Sequence, residues 1–186
     1  RRWKKENNMK NLIIYTSKYG ASQRYAEMIS HALGDPATEL KQCKKQMLET
    51  ADRIILVGGI YAGKIAGMKY VKKMERHIKM KKIYVFAVGA SAYCDDYLEE
   101  IKMNNMKNCN LSISFSYGQG TYDEEKMNFK DRALCRSLRK ALQGKEVSEM
   151  DASMRALVNT QGKAHDWIDK KYVDMFLKKV SESINA

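Results

Sequence analysis

The sequence predicts an α/β fold in which helices cover both faces of one parallel β-sheet. Segments typical of strands and of helices alternate along the chain. The strongest strands are continuous apolar runs, as expected where both faces of a sheet are buried. With 186 residues, 44% of them hydrophobic, the chain is long enough for one full core and too short for two. We therefore expect a single three-layer domain.

The first half of the chain contains two strong strands. Residues 12–16 (LIIYT) are rich in branched and aromatic side chains and predict the first strand. Residues 22–33 predict a helix with Tyr25, Ala26, Ile29 and Leu33 at core spacing, ended by Gly34. Residues 35–42 leave room for a short edge strand, and residues 53–58 (RIILVG) predict the second strong strand.

The second half continues the alternation. Residues 67–78 predict a helix with apolar residues on one face and lysines on the other, and residues 82–88 (KIYVFAV) predict the third strong strand. A short helix over residues 95–105 and a half-exposed strand over residues 111–117 follow. Residues 167–184 predict a closing helix with Ile168, Tyr172, Met175 or Phe176, Val180 and Ile184 inward.

Two segments stand outside this pattern. Residues 1–8 are charged and polar and are interpreted as an N-terminal extension, which leaves residues 9–186 as the domain. An insertion near residues 118–150 precedes the closing helix. Between residues 126 and 145 it carries seven basic residues and a single acid, Asp131. Its apolar residues at helical spacing are Met127, Leu134, Leu138 and Leu142. Such a basic amphipathic helix either lies on an anionic membrane, caps an apolar substrate, or packs as an ordinary surface helix.

The formal net charge is +12, from 34 basic and 22 acidic residues. This balance favours a polyanion, an anionic membrane surface or an acidic protein as partner, or serves solubility alone. Nucleic acid is not expected, because no basic face interleaved with aromatic residues is present. No run approaches the ~18 apolar residues that span a bilayer, and the four cysteines are scattered. We expect reduced thiols and a cytoplasmic protein, with membrane association left open.

Ligands of an open parallel sheet bind beyond the carboxyl ends of its strands. Three loops at these ends are rich in small residues. The first contains Thr16, Ser17, Lys18, Tyr19, Gly20, Ala21 and Ser22; the second contains Gly58, Gly59, Ile60, Tyr61, Ala62 and Gly63; the third contains Gly89, Ala90, Ser91, Ala92 and Tyr93.

The first loop has the residues of a phosphate cradle. A helix start exposes unpaired N–H groups and a partial positive charge, and small residues let an anion approach them. An ordinary serine-capped turn explains the same residues. In the other two loops, Tyr61 and Tyr93 either stack on a flat ligand or are surface aromatics. The three histidines show no catalytic or metal-binding spacing.

Together these loops resemble the flavodoxin superfamily. The first loop is similar to its T/S-x-T-G-x-T phosphate element, and GGIYAGKI at residues 58–65 resembles the branch that contains menaquinone-dependent protoporphyrinogen oxidase. The basic insertion resembles the long insertion of that branch. Three features depart from the superfamily pattern: Lys18 and Tyr19 are bulky, the second loop lacks a tryptophan, and the third lacks an acidic GxGD pattern.

The resemblance implies a five-stranded parallel sheet of order 2-1-3-4-5 and noncovalently bound FMN. It implies phosphate contacts from the first loop, through Thr16, Ser17, Lys18, Tyr19, Gly20, Ala21 and Ser22. It implies isoalloxazine contacts from Ile60, Tyr61, Ala62, Gly63, Gly89, Ala90, Ser91 and Tyr93, with no catalytic side chain.

The implied activity is that of an FMN-dependent oxidoreductase, protoporphyrinogen dehydrogenation to a quinone being the leading reaction. The alternative is a noncatalytic FMN carrier of electrons between redox proteins, although carriers of this superfamily are typically acidic and this chain is basic. A homodimer is left open.

Overall fold

The computed structural model describes residues 9–182. The predicted extension at residues 1–8 and the last two residues of the predicted closing helix lie outside this range. Eight strands are described: β1 (Asn11–Thr16), β2 (Ala37–Glu39), β3 (Arg53–Tyr61), β4 (Lys64–Ile65), β5 (Lys82–Gly89), β6 (Ile113–Gln119), β7 (Thr121–Tyr122) and β8 (His165–Asp166).

The main sheet has the predicted topology. Its parallel strands lie in the order β2-β1-β3-β5-β6, and β4 is a two-residue strand paired antiparallel with the end of β3. Counting the five parallel strands alone, this is the order 2-1-3-4-5, so that prediction is confirmed. β7 and β8 form a separate antiparallel pair.

Helices cover both faces of the sheet. They are α1 (Ala21–Leu33), α2 (Lys45–Thr50), α3 (Met68–Lys73), α4 (Glu75–Ile78), α5 (Asp95–Met106), α6 (Phe129–Ala141), α7 (Ala152–Thr160) and α8 (Lys170–Glu182). One core lies under α1 and α8 and includes Tyr25, Phe86 and Phe176. The other lies under α2 to α5 and includes Leu56, Val71 and Ile101. The α/β three-layer prediction is confirmed, and no helix within residues 9–182 is long and apolar enough to cross a bilayer.

The helix predicted over residues 67–78 is instead two short helices, α3 and α4. Met74 separates them with φ −89° and ψ 3°, and its N–H is shared between the carbonyls of Tyr70 and Val71. The turn tightens there, since a donor shared between i−4 and i−3 carbonyls is intermediate between α- and 3₁₀-helix. Met68, Val71 and Ile78 are nevertheless buried in one core, as the apolar spacing predicts.

The segment between β6 and α8 is longer than the predicted insertion. It begins and ends in the β7–β8 pair and contains α6, a 3₁₀ turn (Val147–Glu149) and α7. The sequence analysis did not predict α7. It begins at Asp151, whose carboxylate caps the helix by accepting from the N–H of Met154 at 2.7 Å.

The apolar residues of α6 do not form its packed face, which corrects the interpretation of an ordinary packed surface helix. Phe129, Leu134 and Leu138 are 85%, 57% and 48% exposed. Met127 precedes the helix, and of the predicted stripe only Leu142, its C-cap, is buried. The helix is held instead by polar side chains.

The main polar anchor of α6 is Glu124, which is only 4% exposed. Its carboxylate accepts from Tyr122 Oη at 2.6 Å and Arg136 Nε at 3.0 Å, and it is paired with Arg139. The Arg139 guanidinium and these hydrogen bonds lower the pKa of Glu124 to about 2. This charge network thus joins α6 to the strand β7 at the start of the insertion.

Candidate cofactor site

The register of the sheet brings the three predicted loops to one edge. Thr16 pairs with Gly58, Gly58 with Ala87, and Gly89 with Gln119. The carboxyl ends of β1, β3 and β5 therefore lie at the same edge of the sheet, although β1 ends level with Gly58 and β3 continues to Tyr61.

The first loop forms an uncapped helix start. Gly20 is the N-cap of α1 at φ +92°, with no side-chain cap and no acidic residue in the first turn of the helix. A Cβ placed on Gly20 would meet nothing within 4 Å, so the space beside the loop is open. Ser17 Oγ accepts from the Gly20 N–H at 3.0 Å, which makes the loop compact. Ser17 thus caps the turn before the helix, whereas no side chain caps α1 from its N-cap position.

Ser22 lies in the first turn of α1 and is 2% exposed. Its hydroxyl and that of Thr16 have no hydrogen-bond partner among residues 9–182. The N–H groups of the first turn and these two hydroxyls are potential hydrogen-bond donors in this part of the chain. This donor set fits a phosphate group.

The second loop is a tight hairpin between β3 and β4. Ala62 and Gly63 form its turn at φ +47° and +74°, the left-handed backbone that two-residue hairpins require. Tyr61 is exposed and its ring lies against Gly59, where an added Cβ would be 2.9 Å from the tyrosine oxygen. Gly58 serves the fold: a Cβ there would lie 2.2 Å from the Ala66 carbonyl oxygen.

Asn105 holds this hairpin in place, and the sequence analysis missed it. Its Oδ1 accepts from the Ile65 N–H at 2.9 Å, and its Nδ2 donates to the carbonyls of Gly63 at 2.9 Å and Ile101 at 2.7 Å. The side chain is buried near the C-terminal end of α5. A buried amide with all its partners supplied within one helix and one turn specifies their relative position. In the sequence it is one of two adjacent asparagines in a polar helix, with no signal to distinguish it.

The third loop is held by hydrogen bonds from the end of β6 and the residue that follows it. The carbonyls of Gly89, Ala90 and Ser91 accept from Gly120 N–H (2.7 Å), Gln119 Nε2 (2.9 Å) and Tyr117 Oη (2.6 Å), respectively. Ser91 is buried, and its hydroxyl donates to the Ala152 carbonyl of α7 at 3.3 Å.

Tyr93 stands at the exposed end of the third loop, with its hydroxyl 2.5 Å from Asp95 Oδ1. The hydrogen bond to this carboxylate raises the pKa of Tyr93. Its ring lies 6.2 Å from that of Tyr117. The loop thus presents one aromatic ring on a rigid base.

The three loops converge through direct contacts. Lys18 Nζ lies 5.7 Å from the centre of the Tyr61 ring, which joins the first loop to the second. Ile60 lies against Gly89, since an added Cβ there would be 3.2 Å from Ile60 Cδ1. Burial raises the pKa of Tyr61, so its hydroxyl stays protonated at neutral pH. The predicted site residues are therefore together, although their individual contacts with a ligand stay predictions.

The insertion reaches the first loop. Lys18 Nζ and Tyr19 Oη both bond to the carboxylate of Asp131 in the first turn of α6. Asn128, the N-cap of α6, places its Nδ2 3.4 Å from the same tyrosine oxygen. The hydrogen bond from Lys18, followed by that from Tyr19, lowers the pKa of Asp131, which is thus ionised at neutral pH. Sequence reasoning noted Asp131 only as the single acid of its segment.

A cavity of about 410 Å³ opens at the start of α1, between the first loop and the β7–β8 pair. Its lining includes Gly20, Arg24, Tyr122, Lys126 and His165. Arg24 is paired with Asp166 at 2.6 Å, and the His165 ring stacks on Trp167 at 4.7 Å. Residues 60–63 and 89–93 do not line it, so it is separate from the space between the second and third loops.

The residues present fit FMN. The uncapped start of α1 and the unpartnered hydroxyls of Thr16 and Ser22 suit its phosphate. The hairpin at residues 60–65 and the anchored loop at residues 89–93 stand on rigid supports and offer Tyr61 and Tyr93 as stacking surfaces. Lys18 adds a positive charge between the two regions.

Comparison with known proteins places the chain in a family. The family model of the flavodoxin domain matches residues 12–149, and no curated protein matches. Similar solved structures include a putative flavoprotein from Bacteroides eggerthii, at 16% identity over 74% of this chain and 100% of that one, with a TM-score of 0.47. The Trp repressor binding protein from Bacillus subtilis is 17% identical over 60% of this chain and 85% of that one, with a TM-score of 0.46.

A flavoprotein in complex with FMN from Lactobacillus acidophilus is 14% identical over 60% of this chain and 93% of that one, with a TM-score of 0.45. The family model is the stronger finding, because it spans about three quarters of the chain, including all three loops. It supports FMN as the cofactor. The chain belongs to the flavodoxin-domain family.

Proposed function

We propose that this protein is an FMN-dependent oxidoreductase acting on a small diffusible substrate. The observation that carries the proposal is the open, uncapped start of α1 at the edge where the three loops meet. When bound, FMN supplies the redox chemistry, accepting and returning electrons that protein side chains cannot carry.

In this proposal, the residues of the chain bind FMN and orient it. The first loop holds the phosphate through its N–H groups and the hydroxyls of Thr16 and Ser22. Asn105 fixes the position of the second loop relative to α5. Tyr117 fixes the third loop by donating a hydrogen bond to the Ser91 carbonyl. Tyr61 and Tyr93 limit access of water and oxygen from the solvent side. This proposal assigns no general acid or base to the protein.

Protoporphyrinogen dehydrogenation with a quinone as acceptor is the specific reaction we favour. Its support is the GGIYAGKI segment of the second loop and the basic insertion, which here lies directly on the first loop. A carrier of electrons between redox proteins is the alternative. The net charge of +12 argues against the usual carrier, because like-charged surfaces slow association with a basic reductase.

The first experiment is an absorbance spectrum followed by titration with FMN and with riboflavin. We expect flavin absorbance bands and a clear preference for FMN. A reduced protein that is reoxidised by a quinone, and that oxidises protoporphyrinogen at a rate proportional to its concentration, supports the enzyme. Reoxidation only by a partner protein supports the carrier, and binding of neither flavin refutes the whole proposal.

Substitution of Ser17 tests the phosphate position. Ser17→Glu places a second negative charge at the helix start, and we expect it to weaken FMN binding at least tenfold because like charges repel at short range. Ser17→Gln, which has the same size without the charge, is the matched control and should bind FMN more tightly than Ser17→Glu. Equal FMN affinity in both variants, each folded by circular dichroism, contradicts the assignment.

We also propose a peripheral contact of α6 with an anionic membrane surface. The helix exposes Phe129, Leu134 and Leu138, and the exposed Lys130 and Lys140 lie among them. Apolar side chains flanked by bases suit an anionic lipid surface. We expect cosedimentation with vesicles rich in phosphatidylglycerol and none with phosphatidylcholine vesicles.

Leu134→Gln combined with Leu138→Gln should reduce this cosedimentation severalfold. The matched control is Met103→Gln with Met175→Gln, two exposed apolar residues on α5 and α8. Equal loss in both double variants, or binding that ignores lipid charge, contradicts a specific contact of α6.

A further inference from the structure

The two bulky residues that depart from the flavodoxin pattern share one partner. Lys18 and Tyr19 extend from the first loop and both bond to Asp131. The backbone N–H of Asp131 is in turn capped by Asn128 Oδ1 at 2.9 Å, which fixes the carboxylate in the first turn of α6. These two large side chains thus connect the first loop to the start of α6 in the insertion.

The shared partner, Asp131, differs in charge from the segment around it. Asp131 is the single acid among the residues from 126 to 145, against seven bases. The one carboxylate of this basic segment therefore sits on the lysine of the candidate phosphate loop. It lies within one lysine side chain of the loop backbone, a distance comparable with the Debye length of about 8 Å at physiological salt. The negative charge of Asp131 therefore repels an anion bound at the start of α1.

We infer that Asp131 sets the preference of the site for phosphorylated over unphosphorylated flavin, by competing with the phosphate for Lys18. This inference rests on the proposed binding of FMN. In the structure, the ammonium of Lys18 is engaged by the carboxylate. A phosphate dianion at the helix start attracts the same ammonium and repels Asp131. Riboflavin lacks the dianion and leaves the pair intact.

Linkage makes the effect reciprocal. If Asp131 lowers the affinity for FMN by some factor, FMN loosens the docking of α6 by the same factor. The docking of α6 then depends on whether a phosphate group occupies the start of α1. Glu124 retains its bonds to Arg136 and Arg139, so α6 stays joined to the start of the insertion while its first turn is released.

The test compares dissociation constants for FMN and riboflavin across four proteins: the wild type, Asp131→Asn, Lys18→Met and the double variant. We expect Asp131→Asn to bind FMN about fivefold or more tightly, with riboflavin affinity unchanged. Lys18→Met should weaken FMN binding more in the Asp131→Asn background than in the wild type, because Lys18 is then free to serve the phosphate. This non-additivity is the signature of a shared partner. Glu125→Gln, which neutralises an exposed acid of the same segment, is the control and should bind FMN as the wild type does.

Hydrogen exchange of residues 129–141 gives a readout that does not depend on affinity. We expect FMN to speed exchange in the first turn of α6 in the wild type, riboflavin to leave it unchanged, and Asp131→Asn without ligand to match the FMN-bound wild type. Additive variants, or equal or weaker FMN binding by Asp131→Asn, overturn the inference while FMN binding by the wild type stands. Binding of neither flavin by the wild type overturns the proposed function and this inference together.

Discussion

At the scale of single residues, Asn105 supports the candidate site without being part of it. It joins α5 to the hairpin through the Ile65 N–H and the Gly63 carbonyl. The same buried amide also caps the Ile101 carbonyl, so every polar group in this small network has a partner. Removing one side chain therefore leaves several buried groups unsatisfied.

We expect Asn105→Ala to lower the free energy of unfolding by about 1–3 kcal/mol, the usual cost of leaving buried polar groups unpaired. FMN affinity should fall as well, because the second loop is no longer held in position by hydrogen bonds to α5. Urea denaturation and FMN titration measure the two effects. Asn104→Ala is the matched control, since only its backbone carbonyl is used, by Lys64 Nζ at 2.7 Å. If the two variants behave alike, the hairpin does not depend on Asn105.

At the scale of elements, α6 is unusual because its main contacts are made by charged side chains, whereas Phe129, Leu134 and Leu138 are exposed to solvent. Glu124 is the centre of those contacts, and only three groups, those of Tyr122, Arg136 and Arg139, surround its carboxylate within residues 9–182. We expect the first turn of α6 to be able to move without unfolding the domain, because few polar bonds hold it. This arrangement is what the exchange between Asp131 and a phosphate group requires.

Glu124→Gln should destabilise the protein by about 2 kcal/mol at neutral pH, because Arg139 loses a charged partner in a nearly buried position. The folded-state pKa of Glu124 lies near 2, below the ordinary value of 4.5. Its contribution is therefore complete above pH 4.5 and is lost as the pH falls towards 2. Urea denaturation of both proteins from pH 7 to pH 2 should show the difference in stability shrinking over that window. A difference that is constant with pH contradicts an ionised Glu124.

At the scale of the whole molecule, the net charge of +12 should act on the approach of the cofactor. FMN is an anion, and a positively charged protein raises its local concentration near the surface. We expect the association rate constant of FMN to fall severalfold between about 0.02 M and 0.5 M salt as the field is screened. Stopped-flow flavin fluorescence measures it, with uncharged riboflavin as the control. Equal salt dependence for both ligands contradicts electrostatic attraction of the phosphate.

Much of the architecture was predictable from local sequence. The apolar runs of β1, β3 and β5 and the apolar spacing of α1 and α8 identified those elements, because burial on two faces or on one stripe leaves a pattern in consecutive residues. The same strand ends located the three loops. Prediction was wrong for residues 67–78, where a shared hydrogen bond at Met74 divides the helix without any glycine or proline. It also missed α7, whose short apolar pattern lies inside a polar insertion.

The sequence by itself determined the α/β class, the strand order through its family resemblance, and the three loops at the carboxyl ends of β1, β3 and β5. These depend on periodicity and on residue types within a few positions of each other. Only the tertiary structure decided that Asn105 supports the hairpin, that α6 packs through charges, and that Asp131 meets Lys18 and Tyr19 more than a hundred residues away in the chain. Such contacts leave no local pattern, because a single polar side chain finds its partner only after the sheet and its covering helices have brought distant segments together.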